Sequence, residues 1–285
     1  RATGVWITKG GDAPSLVTAM REVILAAGAV ASPQILQLSG IGEPALMQQL
    51  GTAPVIDLPG VGQNLQDHLQ IRTIYKVSNT TTLNPRVNSL VGKAMMGLEY
   101  LLFKTGPLTM PPSQLGAFAK SDEAQPTPNM EWHVQPLSLD QFGSPLHPFN
   151  AITPSVCNLR PASRGAITAQ SLDPLMAPKI NLNYLSNPED EAVALAGLRM
   201  TRRIMKAKAL ARFLPEEWKP GPERQSDTEL LDAARDLGTT IFHPVGTCKM
   251  GADPAAVVDD RLMVHGCKGL RVIDASIMPL ITSGN

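Results

Sequence analysis

With 285 residues, the chain is long enough for one large domain or two ordinary ones around a sizeable core. Apolar residues make up 43% and charged residues 18%, a composition that excludes disorder. Lys plus Arg equals Asp plus Glu at 25 each, with no long single-sign run, so no global field draws the chain to nucleic acid or to an anionic membrane.

The start, "RATGVWITKGG", carries neither a basic n-region nor an apolar h-region, so no targeting signal is visible. "VWIT" and "EVILAAG" read as short strands. The run Val23 to Gly42 is uncharged and about a bilayer long, but Ser32, Pro33, Gln34, Gln37 and Ser39 break it, and no transmembrane segment is expected. It parses better as a strand, a turn at Gly28, and a short helix with Ser32 as N-cap, Pro33 at its first position and Gly40 as stop. "EPALMQQLG" has helical spacing, and "GTAPVIDLPGVGQNLQDH" reads as a strand end followed by a glycine-rich loop. Up to about residue 70 the pattern is α/β.

The middle changes character. "QIRTIYKV" and "PNMEWHVQPL" are candidate strands around a helix-like "NSLVGKAMMGLEYLLF", and "SVCNLRPASRGAITAQS" resembles two strands joined by a turn at Ala162–Gly165. Pro-rich connections suggest loops over one side of a sheet. Two later helices are sharply marked. Asn187 caps one with Pro188 behind it, and Ser226 with Glu229 forms a capping box for the other, which Gly238 ends. "LRVID" then forms a strand ending at Asp274, where ligands of open α/β sheets gather. The fold class expected is α/β, α+β overall: part of a Rossmann-like domain (1–70 and 236–285) with an inserted antiparallel-sheet domain (71–235).

Cys157, Cys248 and Cys267 are too few and too scattered for a disulfide framework, which favours a reducing compartment: cytoplasmic, or peripheral to a membrane. His243 with Cys248 and His265 with Cys267 offer four zinc-compatible atoms, but neither pair has the usual metal spacing, and no metal is expected. His243 stands instead in a loop, "FHPVGTCKMG", where Pro244 keeps it out of helical geometry and Gly246 permits close backbone approach. A histidine that only hydrogen-bonds a tight turn is the competing reading. His68 and His133 read as core histidines, with His133 also a candidate for lining a cavity.

Four blocks in one order carry a resemblance: "GAVASPQILQLSGIG" (28–42), "DLPGVGQNLQDH" (57–68), "FHPVGTCKMG" (242–251) and "LRVIDASIMP…SGN" (270–285). Together they resemble the glucose–methanol–choline (GMC) oxidoreductases, nearest the choline and alcohol dehydrogenase branch. The resemblance implies an FAD-dependent enzyme that oxidises the CH–OH group of a small-molecule alcohol and passes electrons to oxygen or a quinone-type carrier. It assigns the base to His243 and the second polar group at the substrate oxygen to Asn285. A base within reach of the hydroxyl lowers the barrier to hydride departure, and an amide can donate to the developing alkoxide. It sets Gly28, Ala29, Asn64, Asp67, Asp274 and Ala275 along the cofactor. Turn formation for the glycines and loop capping for Asn64 and Asp67 stay open beside that assignment. A hydroxynitrile-lyase-like member and a non-catalytic fragment are the alternatives. The pattern G-x-G-x-x-G opening a βαβ unit is absent. The resemblance therefore implies a fragment lacking the N-terminal FAD fingerprint and the extreme C-terminus, one that binds FAD weakly or not at all by itself.

Overall fold

The structure is a computed structural model that describes residues 1–111 and 113–283. In chain order, β1 (Gly4–Ile7), β2 (Ser15–Thr18), β3 (Val23–Leu25), α1 (Gly28–Leu38), β4 (Ile41–Gly42), α2 (Pro44–Leu50) and β5 (Ile56–Asp57) come first. The next stretch holds β6 (Leu69–Arg72), β7 (Ile74–Lys76), α3 (Leu83–Asn88), α4 (Leu90–Phe103), β8 (Leu115–Ala119), β9 (Met130–Gln135) and β10 (Ala151–Asn158). After them lie β11 (Ala166–Thr168) and β12 (Lys179–Asn181), then α5 (Pro188–Met205), β13 (Glu216–Lys219), α6 (Asp227–Leu237) and β14 (Gly238–Thr240). The last strand is β15 (Leu270–Val272). Among the described residues two compact units result, one of residues 1–67, 161–186 and 242–282, the other built on residues 68–160 and 187–241.

In the first unit β3 and β15 pair in parallel, Leu270 opposite Val23 and Val272 opposite Leu25. Their buried side chains join Leu36, Leu58, Val61, Val257, Val258 and Val264 in one apolar core. Each aliphatic side chain fully removed from water there contributes about 1.5–3 kcal/mol. The sequence pattern misplaces the start of α1. The helix begins at Gly28, so Ser32 and Pro33 lie inside it. Ser32 does not cap the helix end: it is fully buried, its Oγ accepting from Ala27 N–H at 3.1 Å and donating to Asp274.

The second unit is built on one antiparallel sheet. Among the described residues β8, β9 and β10 are consecutive neighbours, β10 pairs with both β6 and β7, and β14 and β13 continue outward from these two. The edge between β6 and β7 falls at Thr73, whose hydroxyl donates to the Pro154 carbonyl at 2.7 Å. Side chains alternate across the sheet. Ile71, Trp132, Met130 and Val156 fall on one face, and α5 packs against β10. Trp132 Nε1 donates to Thr201 Oγ1 of α5 at 2.8 Å, with both residues buried.

The caps read from sequence are present. Asn187 accepts from Glu189 N–H, and Ser226 with Glu229 closes a capping box. "NSLVGKAMMGLEYLLF" begins its helix later than its first residue, because Ser89 breaks from α3 and caps α4 by accepting from Gly92 N–H. The two strands expected around Ala162–Gly165 do not pair with each other. β10 belongs to the large sheet, whereas β11 pairs with β12 in the first unit. The cause is local: Ile167 N–H donates to the Gly62 carbonyl at 2.7 Å, Leu65 and Gly165 exchange a bridge, and Gln37 Oε1 accepts from Ala169 N–H at 2.7 Å. Residues 161–186 are thereby held in the first unit, inside the span 71–235 that the pattern sets aside for an inserted domain.

The second unit rests on side-chain packing more than on helix propensity. Replacing Leu198, buried in α5, by Ala is expected to cost about 2–5 kcal/mol. Removing the exposed Ser226 cap by Ala costs about 1 kcal/mol. Chemical denaturation of the two variants checks the ordering, and equal losses would contradict it.

Candidate functional site

The carboxyl ends of β3 and β15 open onto a shelf of small residues. Ala26 and Ala27 are exposed, Gly28 is partly so at φ +83°, and a Cβ built at Gly28 meets nothing within 4 Å. Ile273 N–H donates to the Leu25 carbonyl at 2.9 Å and fixes where Asp274 stands. The Asp274 carboxylate accepts from Gly28 N–H at 3.0 Å, from Ser276 N–H at 2.9 Å and from the Ser32 hydroxyl. Burial by itself would raise its pKa, but the hydrogen bonds from Ser276, Ser32 and Gly28 outweigh it and hold the carboxyl below its ordinary value. Ala275 is half-buried, and its carbonyl accepts from Gly246 N–H at 3.2 Å.

The loop bearing His243 runs beside this segment. Gly246, Cys248 and Met250 donate in turn to the carbonyls of Ala275, Ser276 and Ile277. On its other side Val245 exchanges two backbone bonds with Gln66, at 2.9 and 3.0 Å. Gly246 sits at φ +92°, and a Cβ there would stand 2.6 Å from the Asn64 carbonyl oxygen, so only glycine fits. Half-buried His243 follows Phe242, which takes the uncommon φ of +66°. The His243 N–H donates to Asp67 Oδ1 at 2.9 Å, and the Tyr184 hydroxyl donates to the other oxygen of the same buried carboxyl.

Pro33 and Thr247 complete the arrangement. A proline inside a helix has no N–H for the carbonyl four residues back. For Pro33 that carbonyl is Ala29, and the Thr247 hydroxyl donates to it at 2.6 Å from a fully buried position. The loop thus supplies the bond that α1 cannot make.

The structure brings most of the sequence-predicted residues together within the first unit. Gly28, Ala29, Asp274 and Ala275 surround the shelf, although Ala29 is itself buried and its carbonyl engaged. Asn64 and Asp67 have side-chain work of their own in the loop. Asn64 Nδ2 donates to the Gly246 carbonyl at 3.1 Å, and its Oδ1 accepts from Arg164 Nε at 3.1 Å. Asn285 lies outside the described residues. The segment leading toward it is held by Gln66, which donates to the Pro279 carbonyl at 3.0 Å and accepts from Ile281 N–H at 3.2 Å. Sequence reading missed Gln66, Tyr184 and the bond that Thr247 makes to α1. A proline placed mid-helix was the signal for Thr247, because it implies a carbonyl in need of a donor.

The other histidines and cysteines divide cleanly. His68 is buried with Nε2 3.2 Å from the Leu159 carbonyl, and His265 Nε2 lies 3.0 Å from the Gly251 carbonyl. Cys248 is buried, which pushes its thiol up to about 12. Among the described residues one group stands close enough to hold a metal ion, Glu131 with His133 and Cys157, and neither His243–Cys248 nor His265–Cys267 belongs to it.

Comparison with known proteins places the chain in a family. Two GMC oxidoreductase family models match, one over residues 1–70 and one over residues 161–285, and together they take in more than half of the chain. The oxygen-dependent choline dehydrogenase of Klebsiella pneumoniae subsp. pneumoniae is 42% identical over all of this chain and 51% of its own. An alcohol dehydrogenase [acceptor] of Pseudomonas putida is 41% identical over all of this chain and 52% of its own. The chain therefore spans about half the length of the curated relatives it matches. A formate oxidase structure superposes with a TM-score of 0.90 at 28% identity, covering 99% of this chain and 54% of that one. An FAD-dependent oxidoreductase from Chaetomium thermophilum gives 0.85 at 26%, covering 99% and 55%.

Two outcomes test the site. Thr247→Val keeps the shape but orphans the Ala29 carbonyl, at an expected cost of about 1–3 kcal/mol. Pro33→Ala returns an N–H to that carbonyl, so adding it to Thr247→Val should recover part of the loss. Additive losses in this double-mutant cycle would refute the coupling. Because the folded pKa of Asp274 is depressed, the stability it contributes is full above its unfolded value of about 3.9. That contribution is lost as pH falls through the lower folded value. Asp274→Asn should flatten the acid limb of the unfolding profile, and an unchanged limb would contradict the assignment.

With the models of both GMC oxidoreductase domains matched, the chain belongs to the GMC oxidoreductase family.

Proposed function

We propose that the protein oxidises the CH–OH group of a small-molecule alcohol to an aldehyde or ketone with FAD as cofactor, His243 acting as base and Asn285 as its partner. The observation that carries this reading is the mounting of His243. Its backbone N–H is held by the buried Asp67, on a loop bonded strand-like to the segment that bears Asp274. A base must be positioned before its proton affinity matters, and this loop has little freedom to shift.

The shelf suits a flavin nucleotide. The open direction at Gly28 lets a large planar or phosphorylated group approach the backbone, and the first turn of α1 presents N–H groups there. Gly28, Ala29, Asp274 and Ala275 would hold the cofactor directly, whereas Asn64 and Asp67 would serve it by fixing the loop. Bound FAD supplies the acceptor for the hydrogen and two electrons that leave the carbinol carbon. His243 takes the hydroxyl proton, so the oxygen can form a carbonyl as that hydrogen departs. The Asn285 amide donates to the oxygen while negative charge develops on it. In this reading residues 1–70 and 236–285 carry the cofactor side and residues 71–235 the substrate side.

The curated relatives named choline and alcohol dehydrogenases support a small alcohol as substrate; the final acceptor in this proposal is oxygen or a quinone-type carrier. Among the described residues no helix is long and apolar enough to cross a membrane, and a cytoplasmic or membrane-peripheral location is the matching proposal.

In the full-length protein, His243→Ala should slow anaerobic flavin bleaching by an alcohol about 10²–10⁴-fold. Stopped-flow absorbance measures the rate, and unchanged bleaching would remove His243 from the role of base. Release of a carbonyl together with cyanide from a cyanohydrin, with the flavin left unbleached, would point to lyase chemistry.

A further inference from the structure

The large sheet of the second unit has a second face, opposite the one that carries Trp132, and it is polar. Strand alternation and register place Gln70 and Arg72 of β6, Ser155 and Cys157 of β10, and Glu131 and His133 of β9 on it together. Two rows result. Cys157 stands opposite Gln70 on one side and Glu131 on the other, and Ser155 stands between Arg72 and His133. Directly opposed residues of an antiparallel pair have Cβ atoms about 4.5–5.5 Å apart. The side chains of the first row, with His133 diagonal to Cys157, can therefore meet over one point. Sequence spacing alone does not find this set, because its members come from three strands. Only the alternation in "EWH" places Glu131 and His133 on one side.

The side chains do converge. A carboxylate oxygen of Glu131, a ring nitrogen of His133 and Cys157 Sγ all lie within 4.8 Å of one another. Glu131 Oε1 and His133 Nε2 are 3.6 Å apart. A tetrahedral zinc ion, with bonds of about 2.0–2.3 Å, holds its N, O and S donors about 3.3–3.6 Å from one another. The carboxylate and imidazole already have that spacing, and bringing in the thiol takes a movement of about 1 Å. A second observation points the same way. Glu131 is 4% exposed and Gln70 3%, yet Glu131 Oε2 and Gln70 Oε1 have no hydrogen-bond partner in the protein. Buried polar atoms are almost always satisfied. Both of these are acceptor oxygens, one on each side of Cys157, and a cation satisfies such a pair.

The donor set selects the metal. One sulfur, one imidazole and two oxygens suit zinc, whereas calcium and magnesium take oxygen donors, about six or more. Buried Arg72 on the same face makes the thiolate form of Cys157 necessary. A divalent ion met by that thiolate and by the Glu131 carboxylate forms a neutral cluster, but on neutral donors its charge would stand uncompensated near the guanidinium. His133 binds as the neutral imidazole, and 20% of its side chain is exposed, which leaves an approach from solvent. We propose that Glu131, His133 and Cys157 bind a zinc ion, with Gln70 Oε1 as fourth donor, and that the ion ties β6, β10 and β9 together across one row of the sheet. The thiol proton leaves to solvent as the ion binds. All four donors belong to the second unit, and the inference is independent of the alcohol-oxidising reading.

The test uses the full-length holoenzyme, treated with a chelator and then titrated with zinc chloride. Calorimetry in buffers of different ionisation enthalpy should read one ion per chain and the release of about one proton at neutral pH. Cobalt(II) in place of zinc should give the strong visible bands of a tetrahedral site, at wavelengths beyond the absorption of oxidised flavin. Cys157→Ser and His133→Asn should each abolish those bands and weaken zinc binding by at least about 100-fold, the upper end of what losing an outer partner of a ligand costs. Cys267→Ser, which alters a thiol outside the cluster, should change neither. If Cys157→Ser does not fold, the half-buried His133→Asn decides alone. Zinc binding that survives the substitutions, or a wild type without tetrahedral cobalt bands, overturns the inference.

Discussion

One missing proton organises the first unit. Pro33 sits inside α1 and cannot donate to the Ala29 carbonyl, at the very turn that faces the shelf. The Thr247 hydroxyl fills that place, and to do so the 242–251 loop must lie against the helix. Once there, its alternate N–H groups meet the carbonyls of residues 275–277, and its far edge meets Gln66. A helix made entirely of ordinary residues would satisfy itself and have no need of the loop. The proline converts a local deficit into a tertiary requirement, and the position of His243 follows from it.

Two aspartates then act in different ways. Asp67 is buried and holds main chain and a tyrosine hydroxyl, which fixes where the His243 backbone runs. Asp274 is half-exposed and collects donors from α1 and from its own turn, and these donors hold its charge. The first is a post for a loop. The second is a fixed negative charge beside an open approach to Gly28. The second unit solves a separate problem: its sheet must be stable and also carry polar groups. It meets both demands by alternation, with α5 packed over an apolar face around Trp132 while the opposite face keeps Arg72, Glu131 and Ser155.

Much of this was legible in order of residues alone. Helix caps at Asn187, Ser226 and Glu229 are decided within four residues, so short-range chemistry suffices to read them. Asp274 at the end of an apolar run was readable for the same reason. The start of α1 was not, because Ser-Pro is a common helix opening and here the serine bonds Asp274, far away in sequence. Nor was the break between β10 and β11, which depends on Gly62, Leu65 and Gln37 capturing residues 165–169.

The sequence by itself determined the class of fold, the four blocks that carry the family resemblance, and the residue types available for chemistry. These are properties of local pattern and motif order, which survive without a third dimension. Only the tertiary structure decided that Asn64 and Asp67 serve the loop, that Thr247 answers Pro33, and that Gln70, Arg72, Glu131 and Ser155 share one buried face. Each of these rests on partners dozens to hundreds of residues apart, and burial or an unmet hydrogen bond exists only once the chain has folded around the atom concerned.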